Sequence, residues 1–504
     1  MSVTETIDSS ESQPKSFCAA QALEADQRRA LAVAALASVQ PITQLAQEHE
    51  VSRKFIYTQM AKAEVALDDC FAKPSADDEV LFTLRVTREW MRALILDVIL
   101  NGHSSMRGVQ QLVADLLPTH VSLGTIHNVV REAAQQARAI NAQEDLSAIR
   151  VGAHDEIFQA GHPVLAGADA RSTYCYLLAQ EQGRGETEWG AHLLDLSAKG
   201  LQLAYTLADL GPGLRAGQAL AWQAVPCHGD VFHVEREVSQ VAVYLENRAW
   251  GAMAATQKVS AKMQRAKKHH QGHHFTTALR MARETEATAV QLADDVACLT
   301  RWLQQDVLSL AGPNLTTRRE LFDWIVAELR RREGLAPHRL GPLCGLLAHH
   351  RDVILGFVSE VDRALAAVAQ EQQVAETTVQ ALCQLEGIPV ENAMRGPREA
   401  ELRQQLGARF YPLQQAVQGA LATVVRASSI IENLNSRLRS YFFLRRELGP
   451  EYLDLLRFFL NHHQFQRSRR ADRAGRSPIE ILTGQTHPHW LAVLGYHPLA
   501  ALAA

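Results

Sequence analysis

Along the chain the spacing of hydrophobic positions changes twice. From Leu23 to about residue 145 apolar residues recur at helical spacing. Within PITQLAQEHEVSRKFIYTQMAKAE, Pro41 starts a short helix whose apolar face is Ile42, Leu45 and Ala46. Val51-Ser52 makes a turn, and Ser52 can cap a second helix with Phe55, Ile56 and Met60 inside. Arg53, Lys54, Tyr57 and Lys62 are then left on the outer side. This is helix-turn-helix spacing, in which the second helix can enter a major groove. After a linker, Lys73 to Glu79, the pattern recurs. A long helix, Thr87 to Leu100, stops at Asn101-Gly102. SSMRGVQQLVADLL follows, then a turn at Pro118 to Val121, then a helix capped by Ser122, with Arg107, Thr125, His127, Asn128 and Arg131 outward. The expected units are a disordered stretch, 1–22, and two helix-turn-helix domains, 23–72 and 80–145.

At about Ile149 the pattern turns strand-like. IRVGAHDEIF, PVLAGADA and STYCYLLAQE predict three short strands. A helix, Glu186 to Lys199, a fourth strand in LQLAYTLAD and a fifth in AWQAVPCHGDVF follow. Asp155 lies late in the first strand and Asp209 ends the fourth, just before Gly211-Pro212-Gly213. Three strands, helix, strand, helical link, strand is the order of a ribonuclease-H-like sheet. There the first and fourth strands are neighbours, so both aspartates could share a site for Mg²⁺, a hard cation that takes carboxylate oxygens. Glu156 should point to the opposite face from Asp155.

From about Glu235 to Arg426 helical spacing returns and no strand is evident. Trp250, Trp302 and Trp324 read as core residues of this stretch. Met253 to His274 carries Lys258, Lys262, Arg265, Lys267 and Lys268 without an acid, a strip suited to phosphate. Ala427 to Arg476 holds ten arginines, no lysine and five acids. Its first helix, SSIIENLNSRLRSYFFLRRELG, has an apolar face of Ile430, Ile431, Leu434 and Leu438, and bears Glu432 at the rim. Arg437 and Arg439 share that helix, and Arg467, Arg469 and Arg470 come later; arginine forks match phosphate oxygens. RSPIEILTG reads as a capping box, with Ser477 as cap and Glu480 at the third position.

Composition adjusts this picture little. The 504 residues are 47% hydrophobic and 21% charged, with a formal net charge of −4, so a nucleic-acid surface must be local rather than global. The seven cysteines are scattered, with no CxxC pair, which fits a reducing compartment without disulfides or a zinc knuckle. No apolar run spans a membrane and the polar N-terminus is no secretory signal, so a cytoplasmic, nucleoid-associated protein is expected.

The segments DEIF, PVLAGAD, LADLGPGLRAGQA, PCHGDVFHV, SSIIENLNSRLR and RRADRAGRSPIEILTG together resemble a DDE-type DNA transposase, nearest to the Mutator-like and hAT-like groups. Those groups carry a Cys or Asp, two residues, then His, soon after the second catalytic Asp; here that is Asp230 to His233. They also place a large helical insertion before the helix bearing the Glu, and here 223 residues separate Asp209 from Glu432. The resemblance covers about Val151 to Gly484. It implies a ribonuclease-H-like α/β core, 149–234 and 427–484, interrupted by an all-α insertion, 235–426, and followed by a C-terminal tail, 485–504. It implies a catalytic, metal-binding triad of Asp155, Asp209 and Glu432 holding two Mg²⁺ or Mn²⁺ ions, with Asp230 and His233 accessory. Asp230 also ends an expected strand and is the alternative second aspartate. Asp209 is preferred because it follows Asp155 by 54 residues and its GPGL turn matches the family. The implied activity is metal-dependent phosphodiester cleavage and strand transfer on element terminal inverted repeats and target DNA, by a homodimer or larger assembly. One of the insertion tryptophans would be available to stack on a flipped base. Two other readings stay open: a DNA-binding regulator with an inactive core, and another ribonuclease-H-like nuclease.

Overall fold

A computed structural model describes residues 19–71, 84, 86–444, 449–468 and 470–496. The chain divides into a smaller unit that ends at Arg85 and a larger one, Val86–Ala501. Most of the stretch 1–22 and the linker lie outside the described residues; Ala19–Ala22 forms a short helix, α1.

The smaller unit is a helical trio, α2 (Ala25–Leu36), α3 (Ile42–Glu48) and α4 (Arg53–Phe71). Leu31, Ala35, Leu45, Val51 and Ile56 form its core, with Phe55 and Met60 packed at the edge. Ser52 caps α4 through a 3.1 Å bond from the Phe55 amide to its hydroxyl. Arg53, Lys54 and Tyr57 are exposed, as helical spacing requires once Ile56 faces inward.

The larger unit begins with α5 (Arg88–Leu100), α6 (Met106–Leu116) and α7 (Leu123–Gln143), capped by Thr87, Ser105 and Ser122. Five strands follow: β1 (Val151–Gln159), β2 (His162–Asp169), β3 (Cys175–Gln180), β4 (Tyr205–Ala208) and β5 (Cys227–Gly229). Helix α8 (Glu186–Ala198) lies between β3 and β4 in the chain, and α9 (Pro212–Ala221) between β4 and β5. The sheet order is β3-β2-β1-β4-β5, antiparallel across β1, β2 and β3 and parallel from β1 through β4 to β5. This is the expected chain order, except that the fifth strand is only three residues long and Asp230 caps the next helix instead of ending a strand.

Helices cover both faces of the sheet. Ala153, Ile157, Val164, Ala166 and Ala168 face a core shared with α5 and α7 and with three later helices, α18 (Ser429–Leu444), α19 (Pro450–His462) and α21 (Trp490–Val493). Leu165 and Leu177 face the opposite core, where Trp189, Leu193 and Leu196 of α8 and Leu214 of α9 pack. The three helices of segment 80–145 therefore bury their apolar faces in the same core as the sheet. Residues 485–496 are not a free tail: Trp490, Leu491, Leu494 and Tyr496 enter that core as well.

Between β5 and α18 run α10 (Val231–Lys267), α11 (Thr276–Trp302), α12 (Leu315–Arg331), α13 (Pro337–Ile354), α14 (Gly356–Glu371), α15 (Glu376–Gly387), α16 (Arg395–Leu406) and α17 (Phe410–Thr423). They share one core that extends from Val231 to Val424, so the helical stretch starts at Val231, four residues earlier than expected. It leaves and returns at one place: the Val231 amide donates to the Arg426 carbonyl, and Arg426 pairs with Glu235 at 2.9 Å. The tryptophans expected in this core are not in it. Trp250 is 61% exposed, and Trp302 and Trp324 are 40% and 45% exposed, with ring centroids 5.4 Å apart. Smaller apolar residues fill the inward positions of their helices, such as Val241, Leu245 and Ala249 on α10 and Phe322, Ile325 and Val326 on α12. Helix α20 (Pro478–Thr483) has the expected capping box of Ser477 and Glu480. Among the described residues no helix is long and apolar enough to cross a membrane.

Candidate metal centre

The parallel ladder between β1 and β4 pairs Ala153 with Leu207 and stops there. Asp155 and Asp209 each lie two residues further on. A step of two along a strand keeps a side chain on the same face, so the register alone aims both carboxylates alike. Beyond the last pair the ladder ends and oxygens gather: one ligand atom each from Asp155, Glu156 and Asp209 lie within 4.8 Å of one another.

Glu156 was expected on the opposite face. Its anchors are indeed there: it accepts from Trp189 Nε1 of α8 at 2.9 Å and lies 3.4 Å from Arg184. Asp155 is anchored on the other side, where Asn435 of α18 donates to its Oδ2 at 2.7 Å. Alternation therefore holds, but with no β4 residue paired beside them the two carboxylates both reach the end of the ladder. Glu156 thus leaves from the opposite face, as expected, and still joins the acidic group.

Burial pushes the Asp155 carboxyl up to about 6. The charges of Asp209 and Glu156 add to this, while the Glu156 amide and the His233 charge oppose it. The Asp209 Oδ1 accepts from the Gly211 amide at 2.9 Å. The glycines of this turn are needed: a Cβ at Gly211 would meet Asp209 Oδ1 at 2.8 Å, and one at Gly213 would strike the Arg184 carbonyl.

Asp230 is occupied differently. Its side chain is fully buried and takes four donors: the Phe232 amide at 2.9 Å, the Ser428 amide at 3.2 Å, the Ser428 hydroxyl and His233 Nδ1 at 2.7 Å. Burial raises its carboxyl, but the His233 and Ser428 hydrogen bonds and the His233 charge outweigh that and hold it below the usual range. Asp230 thus caps α10 and ties down the residue that precedes α18. The other ring nitrogen of His233, Nε2, lies 3.8 Å from Glu432 Oε1 in the first turn of α18. The bond to Asp230 raises the His233 pKa, opposed by burial and supported by the charges of Asp230, Asp155 and Glu432.

Residues far apart in sequence thus converge: Asp155 and Asp209 in one group, and Glu432 and Asp230 about His233. Sequence reasoning missed Asn435 and Ser428 as parts of the site. Asn435 stands three residues after Glu432, on the same helix face, and that spacing was the available signal.

The fit of a cation rests on two features. The donors are hard carboxylate oxygens, crowded enough to repel one another. Asn435 is 3% exposed, and among the described residues its Oδ1 has no hydrogen-bond partner. An orphaned buried oxygen is costly unless something donates to it, as a water on a bound cation would.

The expected DNA-contacting residues are distributed more widely. Thr125, His127 and Asn128 are exposed near the start of α7, and Lys258, Lys262, Lys267 and Lys268 on or just beyond the second half of α10. Arg439 and Arg467 are exposed, Arg470 pairs with Asp472 at 2.9 Å, and Arg437 is only partly exposed. Arg469 lies outside the described residues.

No family model and no curated protein matches the chain. Among solved structures it is similar to the Drosophila P element transposase strand transfer complex, at 11% identity and a TM-score of 0.25, over 84% of this chain and 96% of that one. A likeness that slight carries no weight for function, which must be argued from the residues themselves.

Proposed function

We propose that this chain is a DNA transposase of the DDE type, with a ribonuclease-H-like core that cleaves and joins phosphodiesters. The observation that carries the reading is the paired position of Asp155 and Asp209, two residues past the last β1–β4 pair, with the helix of Glu432 docked against the same strand through Asn435. The mixed five-stranded sheet, in the order β3-β2-β1-β4-β5, supports the fold assignment.

Asp155, Asp209 and Glu432 would hold Mg²⁺ or Mn²⁺, two ions per site. Bound divalent cations supply Lewis-acid polarisation of the phosphate and a more acidic water. The protein's own part is orientation. Asn435 fixes the Asp155 carboxylate from the α18 side. Asp230 fixes His233, and His233 in turn faces Glu432. Such supporting contacts typically change metal affinity or activity about 10–100-fold when removed. Glu156, held by Trp189 and Arg184, adds negative charge to the same group and is a further candidate ligand.

On this reading the exposed faces of α4 and the start of α7 contact double-stranded DNA at the element's terminal inverted repeats. The Lys258 to Lys268 strip, Arg437, Arg439, Arg467, Arg469 and Arg470 meet phosphates there or on target DNA, within a homodimer or larger assembly. The test is incubation of the full chain with labelled DNA flanking its coding region, with Mg²⁺ or Mn²⁺ and with EDTA. Metal-dependent nicks at a defined position, followed by joined products, are expected. Defined binding with no cut in either metal would favour a DNA-binding regulator instead.

A further inference from the structure

Arg437 lies five residues after Glu432 on α18. At 100° per residue it is turned about 140° away from Glu432, so it does not face the acidic group. It faces the turn after α5. There Asn101, His103, Arg437, Ser440, His463 and Arg467 are among the residues lining a cavity of about 510 Å³, and among the described residues no carboxylate lines it.

Three features of this cavity call for an anion. First, the Arg437 side chain is half-buried, enough for burial to pull its pKa down, yet among the described residues its guanidinium has no hydrogen bond or ion pair. A half-buried guanidinium that faces a cavity and has no protein partner leaves its fork of donors free for a ligand. Second, its neighbours in the cavity, His103, Ser440, His463 and Arg467, can all donate hydrogen bonds. Burial and the Arg437 charge lower the pKa of both His103 and His463; Asp97 acts on His463 in the other sense, but its carboxylate accepts from Asn101 at 2.5 Å. Third, the turn is built to present His103. That residue adopts φ 48°, unusual without glycine, and a Cβ on the preceding Gly102 would meet the Val98 carbonyl at 2.7 Å. The His103 ring is then seated 4.5 Å from that of Tyr441, whose hydroxyl is already used by the Leu100 carbonyl.

We propose that this cavity holds a phosphodiester of a DNA strand, gripped by the Arg437 fork, with His103 and Arg467 at its rim. The assignment to DNA rests on the function proposed above. The phosphate chemistry does not, and a free phosphate would satisfy the same groups.

The test uses the full chain in Ca²⁺ or EDTA, so that no cutting is needed. Affinity for duplex DNA flanking the coding region is followed by anisotropy over a salt series, for the wild type, Arg437→Gln and Arg437→Met. Thermal midpoints are read without ligand and with inorganic phosphate. Loss of one phosphate contact should lower the slope of log K against log salt by about 0.9. Affinity should fall roughly 10-fold at moderate salt, as for one charge-assisted contact. The midpoint of both variants without ligand should hold or rise, because an uncompensated charge has been removed. A merely structural arginine would lower it, and that result overturns the proposal. An unchanged salt slope in a folded variant overturns it too, even if phosphate raises only the wild-type midpoint; the site would then be one for free phosphate. A wild type that shows the slope difference but never cuts DNA would support this cavity and refute the enzymatic reading. A wild type that binds no DNA refutes both.

Discussion

Asp209→Asn and Asp230→Asn remove the same charge from aspartates that each directly follow a strand, and the structure assigns them opposite effects on stability. In Asp209→Asn the carbonyl of the new side chain can still accept from the Gly211 amide, the one hydrogen bond of that carboxylate among the described residues. The repulsion that helps to raise Asp155 is relieved. The expected change runs from neutral to roughly 1 kcal/mol more stable, since removing a like charge favours the apoprotein. In Asp230→Asn a buried carboxylate with four donors becomes an amide with one acceptor atom and an NH₂ group, which either faces the Phe232 and Ser428 amides or forces the Ser428 hydroxyl and His233 Nδ1 to turn acceptor and discharges the His233 pairing. Breaking a buried charged network of this kind costs about 3–5 kcal/mol. Urea unfolding at pH 7.5 in EDTA, with the slope checked for constancy, measures both. If Asp230→Asn is as mild as Asp209→Asn, the capping and tethering role assigned to Asp230 is wrong. If Asp209→Asn costs as much as Asp230→Asn, Asp209 is a structural group and not a free ligand.

Asn435→Ala should leave the fold intact but slow metal-dependent cleavage by about 10–100-fold, as expected for a residue that orients a ligand; single-turnover rates at saturating Mn²⁺ would reveal it. Gly356→Ala should destabilise by about 1–3 kcal/mol through overpacking, because its Cβ would strike His228, itself buried and paired with Glu360 at 3.1 Å; denaturant midpoints report this. Acid should weaken the fold through His462, whose burial against Phe458 lowers its pKa from 6.5 to about 4. Its stabilising effect is complete above pH 6.5 and is lost as pH falls towards 4, because the unfolded chain takes up the proton first. Between those limits the wild type should lose about 1.4 kcal/mol per pH unit more than His462→Gln, and parallel stability curves for the two would contradict the assignment.

Much of the site was legible because strands announce their ends. The runs before Asp155 and Asp209 alternate and then stop at turn residues, and the parallel pairing of β1 with β4 converts those two positions into neighbours. Glu156 was not legible, because alternation says which face a side chain leaves from but not where a ladder stops. The helical stretches concealed more. Spacing identifies an apolar face without naming what covers it, so α5, α6 and α7 read as a free-standing unit although they pack on the sheet. Trp250, Trp302 and Trp324 read as core residues, but the faces turned inward are filled by Val, Leu, Ile and Phe. Residues 485–496 are too short a segment to show a helical repeat, although Trp490 is only 2% exposed. Arg437 looked like any other surface arginine, because a sequence gives no measure of burial.

The central claim is that Asp155, Asp209 and Glu432 act together on DNA phosphodiesters with divalent metal. The most direct measurement is single-turnover nicking of DNA flanking the coding region in Mn²⁺, by the wild type and by Asp155→Asn, Asp209→Asn and Glu432→Gln, with DNA binding checked for each. The account predicts cutting by the wild type and losses of at least about 100-fold for all three variants, at the upper end for a directly acting group, with binding retained. Cutting that survives any one of these changes, or a wild type that binds this DNA and leaves it whole, would contradict it.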